Sequence, residues 1–556
     1  MEAIQSDALL PLIIGVTGHR KISTDDPRLR ECIRGELLRI REAYPDSPFV
    51  VLSGLAEGAD RLVVRIAIEC LAAKVIAVLP FAEEEFRKDF PAPESQAEFS
   101  DLLKQSQAVV VVPQRESPEA VCQRGEARNR QYARVGAYVM EQAQILIALW
   151  DGKPARGTGG TGDVVKWRMS GEVPFAFSSV SEEQNLLSAD DPARLTHIHP
   201  QTCEVKHLAG SLETRDATDA ALGAIDSFNR DATNHARENG KNAFLRARRR
   251  FLMIEETEPL IQDDKGLLRL ASLFAAADAL ASRLQKKDVA LVGTIAFIFF
   301  LAMTFVHQPL MPVVSVAAAS TLYLAFMLLL WVLLRLASRW RIEEGFLDYR
   351  ALAEGLRVAV FWRLAGVHQK VSLNYLNEHL NVLSWVRQAL RSAEISALPE
   401  AKTAPALSSE KIALVENLWL RNQAEYFHGK LKQLQGQVRK WKGIGGAAFI
   451  LSCVAMAWKL IARLSDQLAS LPYATALTGL TVAAGIAIGY FTQKKSFAAL
   501  MKRYTLSAAL YRRALGRLQA RQYPPEKVLL QMGKEALNEN ADWLWLQRQT
   551  PLKPRR

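Results

Sequence analysis

The feature that most constrains this chain is a pair of charge-free apolar runs, Val289 to Val306 and Val313 to Leu334, separated only by His307 to Pro312. A bilayer core is crossed by about 20 apolar residues, whereas a helix buried in a soluble domain keeps a polar stripe for solvent. Neither run has such a stripe. The pattern returns at Gly443 to Trp458 and Ala474 to Phe491, with Ala462 to Tyr473 between them. Two hairpins, and so four spans, are expected. Arg283, Lys286 and Lys287 precede the first pair, and Arg335, Arg339 and Arg341 follow it. Arg439, Lys440 and Lys442 precede the second, and Lys494, Lys495, Lys502 and Arg503 follow. The first connecting loop has no Lys or Arg, and the second has Arg463 alone, with Lys459 at its edge. The positive-inside rule then puts both termini and the long middle segment in the cytoplasm.

A chain of 556 residues is long enough for several domains. Its net charge of +12 would suggest nucleic acid in a soluble protein, but much of the surplus flanks the apolar runs. Anionic headgroups and topology account for it, so no nucleic-acid partner is expected. The five cysteines (Cys32, Cys70, Cys122, Cys203 and Cys453) are scattered and lack CxxC spacing. Neither a disulfide framework nor a metal site is indicated. No basic region precedes the first apolar stretch, so Leu9 to Val16 reads as a strand rather than a signal peptide.

Before the spans, short apolar runs alternate with amphipathic segments: Leu12 to Thr17, Phe49 to Ser53, Val75 to Pro80, Ala108 to Pro113 and Ile145 to Trp150. Near-continuous hydrophobic strands suit a parallel sheet covered on both faces. Leu62, Val63, Ile66, Ala67 and Cys70 recur at helical spacing, as do Tyr132, Val135, Gly136 and Val139. The fold class is therefore an α/β doubly wound, Rossmann-like N-terminal domain, followed by an all-α membrane region with two transmembrane hairpins.

Ligands of such sheets bind at the carboxyl ends of the strands, and three glycine-bearing loops fall there. The first is Thr17, Gly18, His19 and Arg20. The second runs from Ser53 and Gly54 through Glu57 and Gly58 to Asp60 and Arg61. The third holds Asp151 and Gly152, then Gly159, Gly160, Thr161, Gly162 and Asp163. Glycines let backbone approach a ligand, and helix-start N–H groups favour anionic oxygens. Each loop alone is also a plain strand-to-helix turn; three on one sheet edge point to a nucleotide-type ligand. His19 is a polar turn residue or, beside Arg20, a phosphate contact. Glu57 and Asp60 are acceptors for ribose hydroxyls or an adenine amino group, or caps of the next helix.

The order Gly-Val-Thr-Gly-His-Arg, Ser-Gly-Leu-Ala-Glu-Gly-Ala-Asp and Ala-Leu-Trp-Asp-Gly followed by Gly-Gly-Thr resembles a SLOG domain over about residues 10 to 205. That Rossmann-like fold is shared by DNA-processing proteins and the LOG phosphoribohydrolases. The resemblance implies a nucleotide-derived ligand and no resident cofactor. In the enzymes a glutamate three residues past the Gly-Thr pair takes part in cleaving an N-glycosidic bond. Matching Gly160-Thr161 to that pair puts Val164 at the glutamate's position, with Asp163 one residue off. Valine does no carboxylate chemistry, so a sensor is expected in place of a hydrolase. The alternatives are a membrane-tethered hydrolase using Glu57, Asp60 or Asp163, and a membrane scaffold whose sheet is only structural.

Residues 206–286 read as a helical connector. It holds a basic stretch at Arg246, Arg248, Arg249 and Arg250, and an amphipathic lead-in marked by Leu268, Ala271, Ala275 and Ala279. Residues 287–400 make the first hairpin with cytosolic helices, where Arg350, Glu354 and Arg357 share a face. Residues 401–556 make the second. Tyr511, Arg512 and Leu515 faintly echo Tyr349, Arg350 and Leu352. Trp419, Gln423, Tyr426 and Phe427, with Ala536 to Trp543, are similar to SLATT domains, most closely over 411–556 and more loosely over 270–395. SLATT modules are two-span effectors that accompany SLOG and nucleotidyltransferase genes in bacterial nucleotide-signalling and antiphage defence. The resemblance implies a pore-forming homo-oligomer of the inner membrane. Gly485 and Gly489, with Gly445, Gly446 and Ala447, supply small residues for close helix packing. No span holds a central charge, which argues against an ion or proton transporter.

Overall fold

The computed structural model describes residues 7–155, 157–178, 194–209, 212–240, 243–253, 261–306, 315–340, 342–375, 384–399, 408–465, 471–494 and 497–549. The expected loop His307 to Pro312 and part of the second connection lie outside them. Two compact units emerge. One comprises residues 1–279, 351–412 and 533–541, the other 280–350, 413–532 and 542–556.

The first unit is built on a seven-stranded sheet: β1 (Leu12–Gly18), β2 (Phe49–Ser53), β3 (Lys74–Leu79), β4 (Ala108–Val111), β5 (Ile145–Leu149), β6 (Arg194–Ile198) and β7 (Val205–Leu208). Their order is 4-3-2-1-5-6-7, parallel except for the final β6–β7 pair. Ile14 pairs with Val51 on one side and Ile145 on the other, so β1 is central. The helices between strands are α1 (Pro27–Ala43), α2 (Ala59–Leu71), α3 (Glu83–Arg87), α4 (Pro93–Gln105), α5 (Pro118–Cys122), α6 (Glu126–Gln142) and α7 (Thr161–Ser170). Strands β1 to β4 step one way and β5 to β6 the other, so right-handed crossovers put their helices on opposite faces. The reversal opens a crevice between the carboxyl ends of β1 and β5. Residues of β1, β2, β3 and β5 are buried on both faces, which is why their sequences are apolar without alternation.

The two strands beyond β5 have no such sequence signal. Thr196, His197, Lys206 and His207 make them polar, and the antiparallel pairing joins them to an already formed sheet.

Helices close the opposite, amino edge of the sheet. Along α8 (Leu212–Asn239), Asp219, Asp226 and Asn229 share one face. Asp219 accepts from Arg194 at 2.8 Å, and Asp226 accepts from the Asp46 N–H at 2.9 Å and the Ser47 hydroxyl at 2.8 Å. The fully buried Asn229 accepts from the Leu10 N–H at 2.8 Å and donates to the Leu10 carbonyl at 2.9 Å, as a neighbouring strand would. Past α9 (Ala243–Leu252), α10 (Lys265–Val306) begins in this unit. From far along the chain, α13 (Ser384–Ser396) joins them. Its Ser392 hydroxyl donates to the Pro11 carbonyl, while Gln144 and Gln107 donate to the carbonyls of Gln388 and Ser396. Pro11, Gln144 and Gln107 immediately precede β1, β5 and β4, so this one helix spans the sheet's amino edge. Arg363, near the end of α12 (Ile342–Leu364), binds Asp264 and the Ala397 carbonyl. The expected Glu354–Arg357 pair forms at 2.8 Å.

One expectation changes here. The lead-in read as amphipathic is enclosed nearly all round: Leu267, Leu270 through Ala277, Leu280 and Ala281 are buried, while Leu268 and Ala279 on the anticipated face are only half-buried. Alanine-rich sequence produces this, because small residues let neighbours approach every side of the helix.

The second unit is helical: the rest of α10, α11 (Val316–Trp340), the start of α12, a run from α14 (Ser409–Val415) through a π turn at Glu416–Arg421 into α15 (Asn422–Leu464), then α16 (Leu471–Lys494), α17 (Phe497–Gln519) and most of α18 (Pro525–Gln549). Three helical stretches among the described residues are long and apolar enough to cross a membrane: Ala317–Leu364, Ser409–Leu464 and Tyr473–Gln493. The run from Val289 to Val306 is helical too, as the end of α10; its Leu291, Ile295 and Ile298 cluster with Leu330 of α11. Helix α15 runs antiparallel to α16 and α17. Trp441 meets Phe491 at 5.1 Å, Phe427 meets Tyr504 at 5.8 Å, and Gln519 reaches Glu416 at 2.9 Å. The buried positions in its apolar half are Ala448, Ala455 and Ala462, seven apart. Packing within the chain uses these alanines. A methyl group on Gly446, Gly485 or Gly489 would meet nothing within 4 Å among the described residues of this chain.

Replacing Asn229 by alanine should strip the buried Leu10 N–H and carbonyl of partners, at about 1–3 kcal/mol for each group. Hydrogen exchange of full-length protein in detergent is expected to show faster exchange in the peptides around Leu10 and Ser47 and no change in α15. Unaltered protection near Leu10 would mean that this pairing does not hold the sheet's amino edge.

Candidate functional site

The three glycine loops meet on one turn of α6. From the first, the Arg20 guanidinium carbon lies 5.2 Å from the Tyr132 ring centre. From the second, Gly54 passes so near Val135 that an added methyl would lie 3.3 Å from it. From the third, Gly159 (φ +78°) packs on Ala133, where a methyl would come within 2.3 Å. Glycine is required at Gly159 both for the left-handed backbone and for this approach.

The loops are also joined to each other. The His19 N–H donates to Leu149 O and the His19 carbonyl accepts from Ala59 N, both at 3.1 Å, tying the end of β1 to β5 and to the start of α2. Gly18 faces Ala59 at a distance no side chain could share, and at Gly58 (φ +83°) a methyl would fall 2.2 Å from the Arg20 carbonyl oxygen. His19 Nε2 lies 3.0 Å from the Asp151 carboxylate and 3.2 Å from the Asp151 N–H. A protonated Nε2 serves the first contact and an unprotonated one the second. Hydrogen bonds from the Lys153 N–H and from His19 hold the Asp151 carboxyl below its ordinary range.

Thr17, next to last in β1, pairs with Ala148 and is half-buried. Gly152 (φ +81°) is exposed, and Gly160 precedes Thr161 and Gly162 in the first turn of α7. Gly162 fits against the Ala155 N–H. Glu57 is half-buried and accepts from the Ser95 hydroxyl.

The remaining three sequence candidates serve the loop itself. Ser53 is fully buried, donates to Asp60 at 3.2 Å and accepts from Leu55 N at 3.1 Å. Asp60 is buried against the same loop. Arg61, 2% exposed, holds the Leu55 carbonyl, Ser95 and Glu98, with its guanidinium 4.3 Å from the Phe90 ring centre. Position 164 also turns inward: Val164 is 1% exposed and packs on Gly136 in the sheet's core. Asp163 accepts from the Gly159 N–H at 2.9 Å and so braces its own loop.

A second set of residues carried no glycine motif and escaped sequence reading. Arg128 is buried between Glu85 and Asp89, at 2.9 Å from each, and donates to the Tyr132 hydroxyl at 2.9 Å. That hydroxyl donates to Asp89. Burial and Asp89 together push the Tyr132 phenol up to about 12. The one sequence hint was the helical spacing of Tyr132 with Val135, Gly136 and Val139, which marks a packed face but no role.

Taken together, the crevice offers two helix starts, of α2 and α7, where the Ala59 N–H is already held by the His19 carbonyl and the Asp163 N–H by the Gly160 carbonyl. It adds the exposed cation Arg20 and the acceptors Glu57 and Asp151. An anionic ligand with hydroxyl or amino donors fits this set. Among the described residues no group of three or more His, Cys, Asp or Glu side chains could hold a metal ion.

Burial raises the Asp60 carboxyl to about 6, with hydrogen bonds from Ser53 and the loop acting the other way. The folded state therefore holds the extra proton between the ordinary value of 3.8 and about 6. Stability linked to this group rises as pH falls through that window, and ionised burial costs about 3 kcal/mol at neutral pH. Relative to wild type, Asp60→Asn should lose roughly that much advantage between pH 8 and pH 4 in thermal melts. A pH-independent difference would contradict the buried carboxylate. No protein-family model and no curated protein matches the chain.

Proposed function

We propose that the protein is a ligand-gated membrane effector. The crevice of its SLOG-like sheet binds a nucleotide-derived messenger, and binding rearranges the apolar helices of an oligomer so that a bacterial inner membrane leaks, in antiphage defence. The observation that carries this reading is the meeting of three glycine loops on one turn of α6, in a chain that also has helices long and apolar enough to cross a membrane. The inward-facing Val164 and the bracing role of Asp163 favour a site that holds its ligand without cleaving it.

Coupling has to come from differential affinity. A tenfold preference for one arrangement supplies only about 1.4 kcal/mol per site, so several sites acting together give the sharper switch. The chain passes between its two units inside α10, α12, α14 and α18, and no Gly/Ser linker of the decoupling kind interrupts these helices.

Mass spectrometry of full-length protein purified in detergent from cells that express it should find a retained nucleotide-class molecule, released intact on denaturation. Gly160→Glu sets a carboxylate at the start of α7 and should abolish retention. Gly160→Ala, whose methyl would lie 3.0 Å from Ala155 and 3.4 Å from the Gly157 carbonyl oxygen, should keep it. Retention by the Glu variant would remove this loop from the site, and release of a free base would favour hydrolysis.

For topology, four spans are proposed, adding Val289 to Val306 to the three helical stretches above. A reporter fused after residue 400 should then be cytoplasmic; a periplasmic signal there would reject the four-span arrangement.

A further inference from the structure

One aromatic ring in the crevice is held unusually firmly for a residue whose sequence gives it no motif. The Tyr132 hydroxyl is fixed twice, donating to Asp89 and accepting from Arg128. Asp89 and Arg128 are themselves paired at 2.9 Å, so the phenol is anchored to a closed set of charges. Phe81 makes a T-shaped contact with the ring at 5.8 Å, Phe86 lies tilted at 6.4 Å, and the Arg128 guanidinium is 5.9 Å from the ring centre. The ring is therefore positioned by its hydroxyl and by these neighbours.

Over the ring lies the Arg20 guanidinium, 5.2 Å from the centroid. Arg20 is exposed, and among the described residues it makes no hydrogen bond or salt bridge. A cation over an aromatic ring gains about 0.5–1 kcal/mol at an exposed site, which a competing planar group can match. The same side chain belongs to the first glycine loop, while the ring belongs to the α6 turn on which all three loops meet.

We propose that Tyr132 is the stacking platform for the planar base of the ligand, and that Arg20 gives way to the base and covers its outer face. This deepens the nucleotide reading of the same site and rests on it. Aromatic rings and arginine planes are the usual surfaces on which unpaired bases stack, because every base has a π-face. Tyrosine suits the task better than phenylalanine here only in being tied down by Asp89 and Arg128. The phosphate end of the ligand is left to the glycine loops and helix starts.

The test uses full-length protein in detergent and three probes: AMP, its base-free counterpart ribose 5-phosphate, and the fluorescent 1,N6-etheno-AMP. Wild type should bind AMP at least about tenfold more tightly than ribose 5-phosphate, and etheno-AMP should be quenched on binding. Tyr132→Leu should weaken AMP by about ten- to a hundredfold, the loss of one base–aromatic stack, and leave ribose 5-phosphate unchanged. Tyr132→Phe keeps a ring and should retain most of the AMP affinity and the quenching. The platform is overturned if the Leu variant weakens both ligands equally or neither, or if wild type does not distinguish them. Should wild type bind none of the three probes, the nucleotide reading falls, and this inference with it. Because the wild-type preference and quenching need no mutation, a Leu variant that fails to fold does not shield the idea.

Discussion

At Gly58 the backbone passes so close to the first loop that a methyl group would sit 2.2 Å from the Arg20 carbonyl oxygen. The rest of the carboxyl edge depends on that approach. It brings the start of α2 against β1, where Ala59 N reaches the His19 carbonyl, and it fixes the backbone from which Arg20 extends over Tyr132. Gly18 and Gly159 repeat the device, one against Ala59 and the other against Ala133. A close-packed interior transmits such constraints because it has few voids in which a displaced chain could settle. The crevice is thus shaped by three places where no side chain fits, more than by any single polar contact.

Buried charges finish what the glycines begin. Arg61 and Arg128 are almost completely enclosed, and each ties a loop to a neighbouring helix through carboxylates and carbonyls. Isolated, such cations would be costly; paired and stacked on Phe90 and Phe81, they are satisfied at most of their donors. At the opposite edge, Asn229, Asp226 and Ser392 do comparable work with backbone groups ahead of β1 and β2. The sheet is consequently clamped at its amino edge by helices and left to loops at its carboxyl edge, which is where a ligand can enter without breaking a ladder of hydrogen bonds.

The first five strands could be read from sequence to within two residues at each end, because a sheet buried on both faces writes itself as uninterrupted Val, Ile and Leu. The polar β6 and β7 could not, since their pairing is dictated by the strand already in place. Glycine loops revealed which edge of the sheet matters and left open which side chains face the crevice. Ser53, Asp60 and Arg61 stand within a glycine motif yet turn inward, and burial, invisible in spacing, decides that. Tyr132 and Arg128 show the reverse case, being helix residues that reach the site only because the β4–β5 crossover lays α6 across the strand ends. Likewise, α13 is distant in sequence from the strands whose amino ends it covers. Only tertiary packing could reveal it.

Position 164 shows how packing bears on chemistry. A carboxylate is expected at this position if the third loop is of the hydrolase type. In this chain Val164 lies against Gly136 within the core, with Val165 and Trp167 beside it in the same cluster. A carboxylate in that place would have no room beside the α6 backbone and no partner for its charge, and an unpaired buried charge is strongly unfavourable. The burial of position 164 therefore follows from the way α7 sits on α6. Turning the first turn of α7 outward would also release the hydrogen bond between Asp163 and Gly159 that shapes the third loop.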